Sequence, residues 1–286
     1  MGRIYFITGA SSGFGQALAK AVLERGDSAI LTARRSEALS AVARKYPNSA
    51  IAVAMDVTKR EQRDAAVKTA LDHFGHVDVL VNAAGHGSLG AMEEFSSAQM
   101  RSQMEVNFFG GVELTLALLP SMREQKRGHI VNFSSVGGVV SMGGFSLYCA
   151  SKFAVEGFSG GLRDEVKPLG IHVTIIEPGA FRTEFSGSAN MRPEKSITDY
   201  EPVVEPIRQY LYGNNGKQPG DPRKAALAII KAVESDEPPL RLMLGADAYD
   251  LWEKKRAELV AELEKWRDVG VNTAFDGMQA GAIGDA

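Results

Sequence analysis

Tyr148 and Lys152 stand four apart in Tyr148-Cys149-Ala150-Ser151-Lys152, so on a helix their side chains share one face. A phenol titrates near about 10 and is a poor base at neutral pH. A neighbouring ammonium favours phenolate and lowers that value. The pair then suits proton exchange with a carbonyl or alcohol oxygen. Two residues at this spacing more often lie idle on a helix surface; the preceding apolar run that ends in Ser134-Ser135 strengthens the chemical reading. A second constellation, Thr8-Gly9-Ala10-Ser11-Ser12-Gly13-Phe14-Gly15, lies between the first apolar run and the first helical pattern. Glycines there let the backbone approach a pyrophosphate, and the helix N-terminus supplies N–H groups and a positive dipole end. The spacing G-x-x-x-G-x-G differs from the G-x-G-x-x-G fingerprint. A plain glycine turn for tight strand–helix packing is the bland alternative, and placement after the first strand favours the phosphate cradle. Further on, Leu31-Thr32-Ala33-Arg34-Arg35 lacks the acid that would accept from ribose hydroxyls in an NAD site. Arg34 suits a 2′-phosphate through its guanidinium fork, so NADP(H) is preferred over NAD(H). Arg35 reads as a solvated charge opening the next helix.

These residues need a frame. Ile4–Thr8, Ala29–Ala33, Ile51–Asp56, Val77–Asn82, Ile130–Ser134 and Val173–Glu177 are short apolar runs without strict alternation, as in parallel strands covered on both faces. Helical spacing fills Gln16–Arg25, Ser36–Lys45, Gln62–Phe74, Gln99–Met122 and Phe153–Leu169. The alternation implies an α/β fold: a Rossmann-type doubly wound parallel sheet. We expect a single domain over residues 1–286: a cofactor and catalytic core (1–182), a substrate lid (183–220) and C-terminal helices, strand and tail (221–286). The lid segment holds Pro193, Pro202, Pro206 and Pro219 and the run Gly213–Gly216, and reads as irregular. Its aromatic content argues for packing over something. Asp221 and Pro222 open a helix to Glu234, Leu240–Gly245 reads as a strand, and Tyr249–Trp266 as a charged amphipathic helix.

The chain has 286 residues, with 32 Lys and Arg against 35 Asp and Glu, a net charge of −3. That balance argues against a nucleic-acid partner. With 44% hydrophobic and 23% charged residues, the chain can bury a large core. Cys149 stands alone, which excludes an internal disulfide and a cysteine-based zinc site. The first residues carry no secretory pattern and no run spans a membrane, so a cytoplasmic protein is expected. No metal site is expected: His73 and His76 lack further ligands and read as surface histidines. His86 either faces the site or makes a local hydrogen bond. Gly157-Phe158-Ser159-Gly160-Gly161 fits a nucleophile elbow but falls inside a helix rather than on a strand-to-helix turn; its small residues suit close helix packing. Asn132-Phe133-Ser134 matches a glycosylation sequon inside a buried strand, and Cys149 reads as small packing.

Taken together, Thr8–Gly15, Asn82-Ala83-Ala84-Gly85, Asn107, Ser135 with Tyr148 and Lys152, and Pro178-Gly179 resemble the short-chain dehydrogenase/reductase family over about residues 3–183. The remaining length, with Leu244-Gly245-Ala246-Asp247-Ala248, is similar to its longer 17β-hydroxysteroid-dehydrogenase-like members. The resemblance implies these roles. Tyr148 exchanges the proton and Ser135 hydrogen-bonds the same oxygen. Lys152 binds nicotinamide-ribose hydroxyls and lowers the Tyr148 pKa. Asn107 anchors a water that links Lys152 to solvent. Gly9, Ser11, Ser12, Gly13, Phe14 and Gly15 hold the phosphates; Asp56 and Val57 contact adenine; Asn82, Ala83 and Gly85 line the cofactor; Pro178, Gly179 and Thr183 border the nicotinamide. It also implies a homodimer or homotetramer through the Tyr148 helix. Bland readings stand beside these: Asn107 could kink its helix, Asp56 make an Asx turn and Asn82 tie loop backbone. Val139, Val140, Met142, Phe145, Leu147, Phe181 and Phe185 are expected near the substrate, with Arg182 the one charged candidate. The expected partner is therefore a bulky, mostly apolar ketone or aldehyde and its alcohol. The competing readings are an NADP(H)-binding sensor without turnover, and an epimerase or dehydratase.

Overall fold

The structure is a computed structural model that describes residues 2–35, 37–187 and 189–278. Seven parallel strands form one sheet in the order β3-β2-β1-β4-β5-β6-β7. They are β1 Ile4–Ile7, β2 Ser28–Ala33, β3 Ala50–Ala54, β4 Val79–Asn82, β5 Gly128–Phe133, β6 Ile171–Pro178 and β7 Arg241–Leu244. β1 is buried at every position, which is why its sequence is a continuous apolar run. Alternate residues of the strands feed two layers. Tyr5, Ile7, Leu31 and Val81 pack with Leu18 and Val22 of α1 (Gly13–Glu24), Leu39 of α2 (Glu37–Lys45) and Ile229 of α8 (Pro222–Val233). Phe6, Ile30, Leu80 and Ile130 pack with Ala66 of α3 (Arg60–Phe74), Leu114 and Leu118 of α5 (Gly110–Gln125) and Leu162 of α6 (Ser146–Val166). The strand order reverses between β1 and β4, the switch point where open α/β sheets bind ligands at their carboxyl ends.

Four stretches differ from the sequence reading. The expected helix 99–122 is two helices, α4 (Ser97–Met104) and α5, joined by a π-helical turn at Glu105–Phe109 that contains Asn107. Such turns are local insertions in helices, frequent at functional sites. The segment 183–220, read as irregular, contains the helix α7 (Glu201–Gly213). Pro202 fits because the first-turn N–H groups have no helical partner anyway; Pro206 is accommodated inside. α7 buries Val204 and seats it near Gly144, beside Leu89. The last helix, α9 (Ala246–Val271), is longer than expected, and among its residues Ala248 is the buried one. Finally, Gly157, Gly160 and Gly161 lie in α6, where a β-carbon on any of them would meet open space. Among the described residues they pack against no other helix. None of the described helices is long and apolar enough to cross a membrane.

Candidate active site

The glycine turn forms where β1 hands over to α1. Gly9 has φ +65° and Gly13 φ +54°, conformations that suit glycine. A β-carbon on Gly15 would come within 2.5 Å of Gly9 O, so the turn closes only with glycine there. Ser12 caps α1 with extended backbone but no side-chain hydrogen bond, and no acid occupies the first turn. The positive helix end and its N–H groups are thus left to an anion. Ser11 O accepts from the Gln16 side chain at 3.1 Å. Phe14 turns its ring into the body, 5.3 Å from Phe133 and 5.1 Å from Phe181. Thr183, which opens the 183–220 segment, sits 3.5 Å from where a Gly13 β-carbon would be.

Arg34 and Asp56 lie just past the ends of the neighbouring strands β2 and β3. Both Arg34 and Arg35 are exposed. Burial pushes the Asp56 carboxyl up, but the Thr58 N–H and hydroxyl and the Arg34 charge outweigh it and hold it below the ordinary range. Asp56 therefore makes the Asx-type bonds, at 2.9 Å and 2.8 Å, that the bland reading foresaw. Thr8 gathers the next loop: its hydroxyl accepts from the N–H groups of Ala83 and Ala84 at 3.0 Å each. Asn82 donates to Gly111 O and Thr115 Oγ1 of α5 and to Asn132 Oδ1 of β5, tying β4 to those elements rather than to loop backbone, while its own Oδ1 is buried without a partner among the described residues. Val57, Asn82 and Asn107 line one small cavity with Thr8 and Ala84. Gly85 faces Asn107 and Lys152: a β-carbon there would lie 3.2 Å from Asn107 Oδ1 and 3.6 Å from Lys152 Nζ.

The proton-transfer candidates come from three elements. Ser135 follows β5; its Oγ accepts from Gly137 N–H at 3.0 Å and hydrogen-bonds the Tyr148 hydroxyl. Tyr148 and Lys152 lie one turn apart on α6, both buried. Lys152 Nζ donates to Phe133 O at 2.8 Å and stands 5.8 Å from the Tyr148 ring centroid. Burial pushes Tyr148 far above its ordinary value; the Ser135 hydrogen bond opposes this without overcoming it. Lys152 exerts no resolved pull on the phenol here, so the expected lowering is absent from this arrangement: its ammonium is turned to a carbonyl. Burial brings Lys152 itself down to about 8, against the lifting charge of Glu156. Asn107 is fully engaged, donating to His86 O at 2.9 Å and Ser151 Oγ at 3.0 Å and accepting from His86 N–H at 3.0 Å. His86 makes the local contact, Nδ1 to Gly87 O at 3.2 Å.

Of the apolar residues expected around a substrate, Phe185 and Phe145 reach Tyr148, with ring centroids 5.1 Å and 6.3 Å away. Phe181 instead packs on the main core, and Val139 and Val140 pack with Val136 and Ala248. Leu147 is buried, and Met142 is exposed. Arg182 donates to Gln218 O at 3.1 Å and closes the base of the 183–220 segment. Met191 bridges to Ser88, which lays that segment across the loop after β4. The decoys resolve physically. Ser159 Oγ accepts from Asn132 inside α6, burying the sequon asparagine. His76 pairs with Asp78 at 3.3 Å while His73 stacks edge-on to Phe74. Cys149 is buried, with Sγ 3.8 Å from Val140 O. Sequence reasoning passed over Asp247, which accepts from Ala180 N–H at 2.6 Å and braces the Pro178-Gly179 turn. It also passed over Glu156, although Glu156 stands four residues after Lys152, and Glu177, although Glu177 directly precedes Pro178.

The donor-rich helix end and the neighbouring hydroxyl, phenol and ammonium fit a phosphate-bearing nicotinamide cofactor. A family model described as short chain dehydrogenase matches residues 3–194. The oxidoreductase BOA17 of Botryotinia fuckeliana is 39% identical over 275 residues, 96% of this chain and 100% of that protein. A 3-ketodihydrosphingosine reductase of Bacteroides thetaiotaomicron is 36% identical over 259 residues, 90% of this chain and 93% of that one. The crystal structure of a short-chain dehydrogenase from Streptomyces avermitilis has a TM-score of 0.90 at 46% identity, covering 96% of this chain and 98% of that one.

Proposed function

The chain belongs to the short-chain dehydrogenase family and is an oxidoreductase, and from its site we propose that it interconverts a bulky, mostly apolar ketone or aldehyde and its alcohol with NADP(H). One observation carries the reading: Ser135, Tyr148 and Lys152 converge at the carboxyl edge of the sheet, the edge at which α1 begins with an N-terminus that no side chain caps and no acid occupies. When bound, the nicotinamide would supply or accept the hydride. In reduction, Tyr148 gives its proton to the substrate oxygen and is reprotonated from solvent. Ser135 hydrogen-bonds that oxygen, and Lys152, with its ammonium released from Phe133 O, would stabilise the phenolate by its charge. Gly9–Gly15 would hold the pyrophosphate, Arg34 the 2′-phosphate, and Asp56 and Val57 the adenine. Ala83 and Gly85 would line the cofactor, with Pro178, Gly179 and Thr183 beside the nicotinamide. Phe185 and Phe145 give the substrate side an apolar wall, and the Bacteroides relative is named for a keto substrate, 3-ketodihydrosphingosine. The intact proton donor argues against a sensor that only binds cofactor. A homodimer or homotetramer in the cytoplasm completes the proposal.

The test is loss of NADPH absorbance, with NADH in parallel, over a panel of bulky ketones and aldehydes. Tyr148→Phe is expected to lower turnover by roughly 10²–10⁴-fold while calorimetric NADPH binding is retained. Near-normal turnover in Tyr148→Phe would refute the proton-transfer role. Binding without turnover in the parent protein would favour the sensor.

A further inference from the structure

Beneath the site lie two acids that the mechanism does not use. Glu156 of α6 and Glu177 of β6 are 6% and 1% exposed. Arg241 of β7 reaches both: its Nε is 3.2 Å from Glu156 Oε2 and 3.3 Å from Glu177 Oε1. The two carboxyls meet at Arg241 and each influences the other's charge, and Oε1 of each is buried without a hydrogen-bond partner among the described residues. Two adjoining buried carboxylates facing one guanidinium cannot both ionise cheaply, so they share a proton. Burial, and then the Glu156 charge, push Glu177 up the more strongly. Glu177 therefore holds the proton and Glu156 the charge.

Each contact of this cluster adjoins a residue of the site. Glu156 is one helical turn beyond Lys152, and Glu177 directly precedes Pro178-Gly179. Ser134, the neighbour of Ser135, opposes the burial that pushes the Glu156 carboxyl up, and its Oγ donates to Lys152 O at 3.5 Å. The turn after Ser135 is seated on the same cluster: a β-carbon on Gly138 would meet Ser134 Oγ, with Glu156 Cγ and Lys152 O both at 3.1 Å. The charged groups facing Glu156 are Lys152 from its own helix, Glu177 from β6 and Arg241 from β7. Asp247 at the start of α9 is turned instead to Ala180 N–H.

We propose that the buried Glu156–Glu177 pair, joined by Arg241, is a positioning element that holds Lys152 and the turns after β5 and β6 together and sets the Glu156 charge one helical turn from Lys152. Direct hydrogen bonds already tie these elements: Lys152 Nζ to Phe133 O at 2.8 Å, and Ser134 Oγ to Lys152 O and Ser135 Oγ to Pro178 O at 3.5 Å each. The buried ionic cluster adds a second tie, joining α6, β6 and β7 through Arg241. The effect on catalysis rests on the proton-transfer reading above; the effect on Lys152 does not.

The experiment follows Lys152 in cofactor-free protein carrying 13C-labelled lysine, with the resonance assigned by its loss in Lys152→Arg. In Glu156→Gln, which keeps shape and removes charge, the Lys152 titration midpoint is expected to fall by about one pH unit. Glu177→Gln keeps an N–H donor toward Glu156 and leaves its charge, so it should move the midpoint far less. If Glu156→Gln does not fold, the double variant Glu156→Gln/Glu177→Gln, in which the amides can pair, should show the same fall. In turnover assays the alkaline limb of kcat should move with the midpoint. Coincident Lys152 midpoints in parent and variants would overturn the proposal. Absence of turnover in every protein would sink the functional reading alone, since the resonance still decides the role of the pair.

Discussion

Lys152 shows how one side chain is pulled two ways. Burial lowers it to about 8 and Glu156 lifts it; the balance leaves the ammonium mostly protonated near neutrality and able to lose its charge in mild alkali. Tyr148, one turn away, is held protonated by burial, the form needed to give a proton to a carbonyl oxygen. At the other end of the site Arg34 is exposed and influences Asp56 only through its charge. A charge-assisted bond to a 2′-phosphate contributes about 1.5–3 kcal/mol, roughly a 10- to 150-fold change in Kd. Arg34→Asp is therefore expected to weaken NADPH binding by that factor or more, by calorimetry, and to leave NADH binding almost unchanged. Equal losses for the two cofactors would refute the 2′-phosphate assignment.

Among the elements, α6 does two jobs on two faces. Its inner face carries Tyr148, Lys152 and Glu156. Its outer face leaves Gly157, Gly160 and Gly161 open and Phe153 46% exposed. Leu116 of α5 and Phe109 of the π-helical turn are also exposed, at 56% and 42%. Apolar groups beside a glycine-flattened helix favour contact with a second copy. If the homo-oligomer forms there, Leu116→Glu should lower the sedimentation coefficient toward that of a monomer without changing the circular dichroism. An unchanged assembly would place the contact elsewhere.

At the scale of the whole molecule, the sheet centre carries a titratable group that reports on global unfolding. His129 of β5 is 4% exposed and bonds Thr174 Oγ1 of β6 at 2.8 Å. Burial, aided by His172 and Arg3, lowers it to about 3. The folded protein keeps His129 neutral, while the unfolded chain takes up a proton below about 6.5. The stability it contributes is complete above that value and is lost as pH falls toward 3. Between pH 7 and 5 the loss is about 2 kcal/mol. Glu177 works in the opposite sense, because its raised pKa makes the folded state bind a proton first. The parent alone therefore understates the effect. Urea unfolding of parent and His129→Gln at both pH values should show a smaller acid-side loss in the variant; parallel losses would refute the assignment.

What the chain wrote locally could be read locally. Gly9, Gly13 and Gly15 are demanded by backbone geometry within a few residues, and Tyr148 and Lys152 share a face because a helix repeats. Continuous apolar runs announced buried parallel strands, since residues on both faces of such a sheet are covered. The helix at Glu201–Gly213 escaped notice because its two prolines masked the periodicity. Phe181 and Phe185 look alike in the sequence, yet one joins the core and the other covers Tyr148. Only the packed chain brings Glu156 to Arg241, 85 residues later, or Asp247 to Ala180, 67 residues earlier. Those contacts obey no period: they exist because β7 is laid against β6, and a buried charge must find its partner wherever the fold delivers one.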